Sequence, residues 1–589
     1  MQKRWVLKQA DESCVSLLSE ALKVSPVLAR ILAQRSLTAP DAARRFLSCS
    51  LRSDLPSPFL MAGMSRAVER LAEAIGRKEP ICIWGDYDVD GTTGTSALVT
   101  FLKEVGCQPI YYIPHRIDEG YGLNAEALRQ LSERGIKVVV SVDCGVSNYR
   151  EVEIARDLGI DVIIVDHHEL PELLPPAVAI LNPHRPDCFF PDKGLSGAGL
   201  AFYLIIGLRA KLREIGWFDN SETPDIRRYL DIVTLGTIAD MVPLRGVNRV
   251  LSRRGLVELG GSTRPGIIAL KQVAGISGPE VGVAHVAFRL GPRINAAGRM
   301  DAGLKVVEML TTDSTEEAVR IAQELDDHNR ERQATEAKVL GEALARLSED
   351  SQDRYSIVLG QEGWHPGVLG IVASRIVDRF HRPTVVVGFD QGNGKGSARS
   401  IRGFHMVEGL RGCADCLEKF GGHEYAGGLS IRADKFSSFI ERFEEMARGC
   451  LTSEHLVPVI DVDDRLDFSQ IGFALVREIE GLQPFGIGNP EPLFMTREVQ
   501  VSERRDFSGG ARLRLRHGGR ALSAVVFGSQ FGVSGNDSRT ATAPGLETLS
   551  SMLSREAKID IVYRLGADEW SGTYAVELRL VDARPSTGS

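Results

Sequence analysis

Ile81-Cys82-Ile83-Trp84-Gly85-Asp86-Tyr87-Asp88-Val89-Asp90 starts as an apolar run and ends in three acids at alternate positions. A short apolar run of this kind predicts a buried strand that delivers Asp86, Asp88 and Asp90 to one loop. Gly91 lets the chain turn, and Thr92 and Thr93 open an apolar-periodic stretch, Ser96 to Val105, that predicts a helix. Carboxylates after a strand and before a helix lie where open α/β sheets bind their ligands. Three anions so close together invite a cation. An EF-hand does not fit: the twelfth residue counted from Asp86 is Ala97, where that loop needs a bidentate Glu, and the preceding flank reads as strand rather than helix. Capping of the following helix explains one of the three acids readily, but not all of them.

The pattern recurs downstream. QPIYYIP, KVVVSVDCG and DVIIVDHHE read as strands, with NAEALRQLSERG and NYREVEIARDLG as helices between them, which is the signature of a parallel, helix-covered sheet. Asp143 ends one strand, and Asp166, His167 and His168 end the next. A further hydrophobic run, YLDIVTLGTIADMVPL, is read in the same way and brings Asp240. Parallel strands bring such ends to one edge of the sheet. Singly, each residue has a plain explanation, since Asp often caps a helix and paired His residues are common on surfaces. Jointly, carboxylates gathered without a cation would repel and raise one another's pKa values, whereas metal ions keep them ionised. Carboxylates with neutral imidazole suit Mn²⁺ or Mg²⁺ better than thiolate-loving metals.

The whole chain of 589 residues, 43% hydrophobic, has room for three or four domains with their own cores. No apolar run is long enough to cross a membrane, and the N-terminus lacks the apolar centre of a secretory signal, so a cytoplasmic protein is expected. The nine cysteines lack framework spacing and are expected to be reduced. Cys413 and Cys416 have no second pair at zinc-site spacing and read as two thiols on one side of a helix. A net charge of −8 argues against a uniformly basic nucleic-acid binder while leaving room for a local basic groove.

GDYDVDG, SVDCG, VDHH and TLGTIADMVPL resemble the successive motifs of the DHH phosphoesterase superfamily. GPRINAAGRM, GWHPGVLGIVASRI, GKGSARS and FGGHEYAGG, following in order, are similar to those of the RecJ single-strand-specific exonucleases, over residues from about 60 to the end. The resemblance implies a metal-dependent 5′→3′ exonuclease of single-stranded DNA, acting in DNA repair and recombination. It implies two ions, Mn²⁺ or Mg²⁺, held by Asp88, Asp90, Asp143, His167 and Asp240, with Asp86 and His168 beside them in catalytic roles. One position departs from the superfamily pattern: some members place a metal-binding His where this chain has Trp84, which leaves the second ion to be held by Asp86 or more loosely. The implied partners are single-stranded DNA, a single-strand-binding protein and a RecQ-type helicase, with no membrane.

The expected architecture is α/β: a helical lead-in over 1–55, a parallel-sheet DHH domain over 56–312, a connector helix over 313–350, an α/β DHHA1 domain over 351–452 and an OB-like β-barrel over 453–589. The connector is expected from its polar, Ala- and Glu-rich composition. In the DHHA1 region, Pro366 and Gly367 at a helix start suggest free N–H groups for a phosphate. GKGSARS is not a Walker A loop, but Ser397 and Arg399 are phosphate-type donors. With Arg293, Arg299, Gly422 and His423 they are expected to steady the substrate. In the barrel, Arg512, Arg514 and Arg516 alternate with leucines, so they share one strand face suited to a nucleic-acid backbone or simply to solvent. LQPFGIGNPEP resembles the family's lead into the barrel, and residues 529–552 read as a long loop. Two other readings are a phosphodiesterase of cyclic dinucleotides or short RNA, whose relatives stop before the barrel, and an inactive DNA-binding scaffold, which would have lost the acids.

Overall fold

The structure is a computed structural model that describes residues 3–115, 119–299, 303–347, 353–507, 509–527, 558–568 and 575–586, with only the backbone described over 297–299. Its contacts divide it into two compact units.

One unit holds Asp41–Arg330 and, from far along the chain, Leu482–Glu491. Its sheet has five parallel strands in the order Ile110–Tyr112, Ile81–Gly85, Val138–Val142, Asp161–Val165, Ala179–Leu181. Ile81–Gly85 and Val138–Val142 are buried at every residue, as a sheet covered on both faces requires. Helices Met64–Arg77, Val89–Glu104 and Gly197–Glu214 bury Leu71, Leu98 and Leu200 in one core; Ala125–Glu133 and Tyr149–Asp157 bury Leu128 and Val152 in the other. The register pairs Gly85 with Val142 and Val142 with Val165, so Asp86, Asp143 and Asp166 leave three adjacent strands at one level.

The hydrophobic run before Asp240 is a helix, Leu230–Ala239, not a strand. Every residue from Leu230 to Ile238 is buried. A segment apolar all round has no periodicity with which to declare its conformation. Asp240 therefore comes off a helix C-terminus rather than a strand end.

The second unit comprises the N-terminal residues to Pro40, Glu331–Gly481 and the chain from Pro492 onward. It contains a sheet in the order Lys419–Gly422, Ala426–Arg432, Asn393–Arg399, Thr384–Asp390, Ile357–Glu362, covered by helices that include Pro366–Phe380 and Phe436–Cys450. It also contains a barrel: Phe494–Phe507, Gly510–His517, Arg520–Phe527, Ala575–Pro585 and Lys558–Asp568 pair in turn, and the last returns to the first. Closure of this kind leaves no strand edge open. The N-terminal region carries the expected helices and one unexpected strand, Arg4–Leu7, parallel to Val459–Val462. The expected connector is one helix of 31 residues, Thr315–Ala345, which runs through the division between the units at Arg330. The loop read at 529–552 lies outside the described residues. Among those described, no helix is long and apolar enough to cross a membrane.

Candidate metal centre

Three sets of side chains come within ligand reach of a common point: Asp86, Asp88 and Asp143; Asp90, His167 and Asp240; and Asp143, His167 and His168, with the ligand atoms of each set within 4.8 Å of one another. Asp143 and His167 each belong to two sets, so the groups form one continuous cluster. The backbone explains how each acid gets there. Asp88 caps the helix Val89–Glu104, accepting from the Gly91 N–H at 3.0 Å, so the capping role of one acid is real and leaves its second oxygen for other work. Asp90 lies in the first turn of that helix, fully buried, and accepts from the N–H groups of Gly197 and Ala198 at the start of the helix Gly197–Glu214. A Cβ at Gly197 would stand 2.9 Å from the Asp90 carboxylate and one at Gly236 2.7 Å, so both helices approach this acid only as glycine. Asp143 is left-handed at φ 63, a conformation Asp tolerates better than most residues.

The electrostatics point the same way. Burial, then the charge of Asp88, pushes Asp90 up to about 7. Burial, then Asp90 and Asp88, pushes Asp240 up to about 9, and burial with its acidic neighbours holds Asp143 well above the usual carboxylate range. His167 is pushed down to about 4, by burial first and by His168 second, so it is neutral and its lone pair is available to a metal. Among the described residues, Asp143 Oδ1, His167 Nε2 and Asp240 Oδ2 are buried without a hydrogen bond, although His167 Nε2 lies 3.1 Å from the first carboxylate oxygen and 3.6 Å from the other. Buried polar atoms facing one another unsatisfied are what a cation would satisfy. The donor set, oxygen with imidazole, fits Mn²⁺ or Mg²⁺.

His168 is different. It is half exposed, and its Nδ1 lies 2.7 Å from the buried Asp166, which also accepts from the N–H groups of Val146 and His168. Burial disfavours the charged imidazole, but the bond to Asp166 and the charges of Asp166, Asp88 and Asp86 outweigh it and raise its pKa. His168 therefore presents a proton donor beside the acids, oriented by Asp166. Tyr121 donates to the Asp143 carbonyl at 3.0 Å and stands 3.1 Å from His168 Nδ1. Sequence reading gave neither Asp166 nor Tyr121 a role. For Asp166 a signal existed: an acid two residues before a site histidine is well placed to fix its ring. Trp84 is buried against Tyr112, and Asp86 comes within ligand reach of Asp88 and Asp143.

The remaining expected site residues have different settings. Arg293 donates to Asp326, Arg289 and Val273 and ties the helix Gly291–Arg299 to its neighbours, so its guanidinium is already engaged. The side chain of Arg299 lies outside those described. Neighbouring Asn295, not anticipated, accepts from the Val89 N–H in the acid-bearing segment at 3.3 Å. In the second unit, Arg399 donates to Ser397 and the Ala398 carbonyl, and burial lowers its pKa. The two side chains lie under Gly370 of the helix Pro366–Phe380, where a Cβ would meet both. The free N–H groups expected at that helix start are partly taken: His365 Nδ1 accepts from Gly367. Gly422, at φ 139, and exposed His423 form the tip of a hairpin whose Cβ-free backbone passes close to Ala426. On the barrel, Arg512, Arg514 and Arg516 are exposed while Leu513 and Leu515 are buried; Arg514 reaches Ser523 at 3.3 Å and Arg512 approaches Glu577 at 4.0 Å.

A parallel sheet whose strand ends gather Asp166, His167 and His168 beside further acids is an architecture that comparison with known proteins assigns to the DHH family. Residues 80–237 match the DHH family N-terminal domain, 352–449 the DHHA1 domain and 462–582 the RecJ OB domain. The Bacillus subtilis single-stranded-DNA-specific exonuclease RecJ is 36% identical over 99% of this chain and 71% of its own length. The Escherichia coli protein of the same name is 39% identical over 80% of this chain and 83% of its own length. A crystal structure of Thermus thermophilus RecJ in complex with Mn²⁺ superposes with a TM-score of 0.79 at 30% identity, covering 99% of this chain and 80% of that one. The chain belongs to the RecJ family.

Proposed function

We propose that the protein is a metal-dependent exonuclease that hydrolyses phosphodiester bonds of single-stranded DNA from the 5′ end, with a role in DNA repair and recombination. The observation that carries the reading is the overlap of three ligand sets on Asp143 and His167, in a chain whose relatives are named single-stranded-DNA-specific exonucleases. Two divalent ions in such a cluster would polarise the scissile phosphate and supply a hydroxide near neutral pH. Asp90, Asp143, His167 and Asp240 would hold one, and Asp86, Asp88 and Asp143 the other. His168, its pKa raised and its ring oriented by Asp166, donates a hydrogen bond to a phosphate oxygen as negative charge develops on it. Ser397, Arg399, Gly422 and His423 offer donors and open backbone for the DNA phosphates, and Arg512, Arg514 and Arg516 a charged face for its backbone. The 5′→3′ direction, a cytoplasmic location, and a single-strand-binding protein and RecQ-type helicase as partners rest on family resemblance.

A cyclic-dinucleotide phosphodiesterase has no evident use for a closed barrel with an arginine-bearing strand, which favours the polymer substrate. The test is digestion of 5′- and 3′-labelled single strands with and without Mn²⁺. The reading expects metal-dependent release of mononucleotide label from the 5′ end at once and from the 3′ end only late. Internal cutting, or hydrolysis of cyclic dinucleotides in preference to DNA, would overturn it.

A further inference from the structure

The segment Leu482–Glu491 leaves one compact unit to join the other, where it packs against the loop that follows Asp240. The Leu244 N–H donates to the Ile487 carbonyl at 2.7 Å, and Arg245 Nε donates to the Gly488 carbonyl. The segment is a closed strap. Gly486 and Asn489 exchange backbone hydrogen bonds at 2.9 and 3.0 Å, and the fully buried Asn489 amide donates to the carbonyls of Leu482 and Pro484. Buried Arg249 grips its start, donating to the Leu482 carbonyl at 2.6 Å and to Phe46, over whose ring it lies.

What the strap holds is the exit from a candidate metal ligand. Asp240 caps the helix Leu230–Ala239; Met241 follows in the left-handed conformation, at φ 63, and the chain then runs through Pro243 and Leu244 beneath Gly486 and Gly488. The strap meets the chain two to four residues after Met241, at Pro243, Leu244 and Arg245, and closes one side of the loop. From the other side Asn248, also buried, donates to the Pro243 carbonyl and to the Gly194 carbonyl. Gly194 lies just ahead of the helix start whose N–H groups hold Asp90. One bracing system thus spans the loops behind two candidate ligands.

We infer that the strap Leu482–Glu491, with Arg245 and Asn248, is a positioning element of the metal centre: it sets the Asp240 loop, so that a segment far along the chain but folded into the same unit completes the ligand geometry. The inference rests on the metal-site reading above. Supporting groups behind metal ligands govern affinity through orientation.

The experiment is Mn²⁺ binding to the full-length protein, followed by the electron-paramagnetic-resonance signal of free Mn²⁺, with thermal unfolding of the metal-free protein in parallel. Gly488→Ala inserts a methyl that would stand 2.9 Å from Pro243, at a position with φ +72, and wedges strap from loop. Arg245→Ala removes one exposed donor to the strap at little risk to folding, and Arg245→Lys restores a donor. The expected result is Mn²⁺ binding about tenfold weaker in Gly488→Ala and Arg245→Ala, with recovery in Arg245→Lys and with turnover returning at saturating Mn²⁺. Unchanged Mn²⁺ affinity in both variants, whatever their melting temperatures, would overturn the inference while leaving the metal site standing. Absence of Mn²⁺ binding by the unsubstituted protein would overturn the metal reading and this inference with it.

Discussion

Asp90 and Asp240 keep their protons to about pH 7 and 9 in the metal-free protein because burial, and then the neighbouring acids, disfavour their charged forms, whereas an unfolded Asp ionises near pH 3.9. Between those limits the unfolded chain binds fewer protons than the folded one, so the metal-free fold loses stability as pH rises from about 4 through the folded values. A bound cation reverses this, since ligands must be ionised to hold it and its affinity rises with pH. Saturating Mn²⁺ should therefore raise the melting temperature more at pH 8.5 than at pH 6.5, and an equal or smaller gain at the higher pH would contradict the assignment. His168 gives a second prediction. Because Asp166 raises its pKa, Asp166→Asn should move the alkaline limb of the kcat profile to lower pH, and His168→Ala should lower kcat by about 10²-fold or more while leaving Mn²⁺ binding near normal. A pH profile unchanged by Asp166→Asn would remove the proton-donor role. At this scale the acids and histidines themselves were legible, because each follows an apolar run. Tyr121 at the Asp143 carbonyl and the engagement of Arg293 by Asp326 were not, since each depends on a partner distant in the chain, whereas Asp166 as the orienter of His168, two residues on, left a local signal that was passed over.

The elements were legible where their periodicity was clean. Arg512, Leu513, Arg514, Leu515 and Arg516 alternate as read, and the connector helix follows from its composition. The helix before Asp240 was misread because its surface is buried on every side, which erases the signal that separates helix from strand. The arginine strand carries a prediction of its own. In 0.05 to 0.2 M salt, replacing Arg512, Arg514 and Arg516 with Ala should weaken single-strand binding and reduce the slope of log K against log salt by about 2, since each phosphate contact on a single strand contributes about 0.7. Arg512 and Arg514 have local neighbours in Glu577 and Ser523, so an unchanged slope would mean that these contacts, and not DNA, occupy the face.

Across the whole molecule, pairings between chain ends escape any local reading: Arg4–Leu7 lies beside Val459–Val462, and Leu482–Glu491 belongs with residues far before it. Each unit nevertheless carries its own cores. Those built on Leu71, Leu98 and Leu128, and on Leu235 and Leu270, fall within Asp41–Arg330, whereas those built on Val385 and Phe439, on Val372, and on Ile460 with Val562 fall within the other unit. Units with separate cores are expected to unfold in separable steps. All candidate metal ligands lie in the first unit. Binding to one folded unit adds about 2.7 kcal/mol when the ligand is at a hundredfold excess over its Kd, which corresponds to a rise of several degrees for a domain of this size. Scanning calorimetry of the full-length protein should then show two transitions, of which Mn²⁺ moves one, and Asp143→Asn should abolish that shift while leaving the other transition in place. A metal-induced rise of both transitions by the same amount, or a shift that survives in Asp143→Asn, would place the bound ion somewhere other than at the ends of the parallel strands.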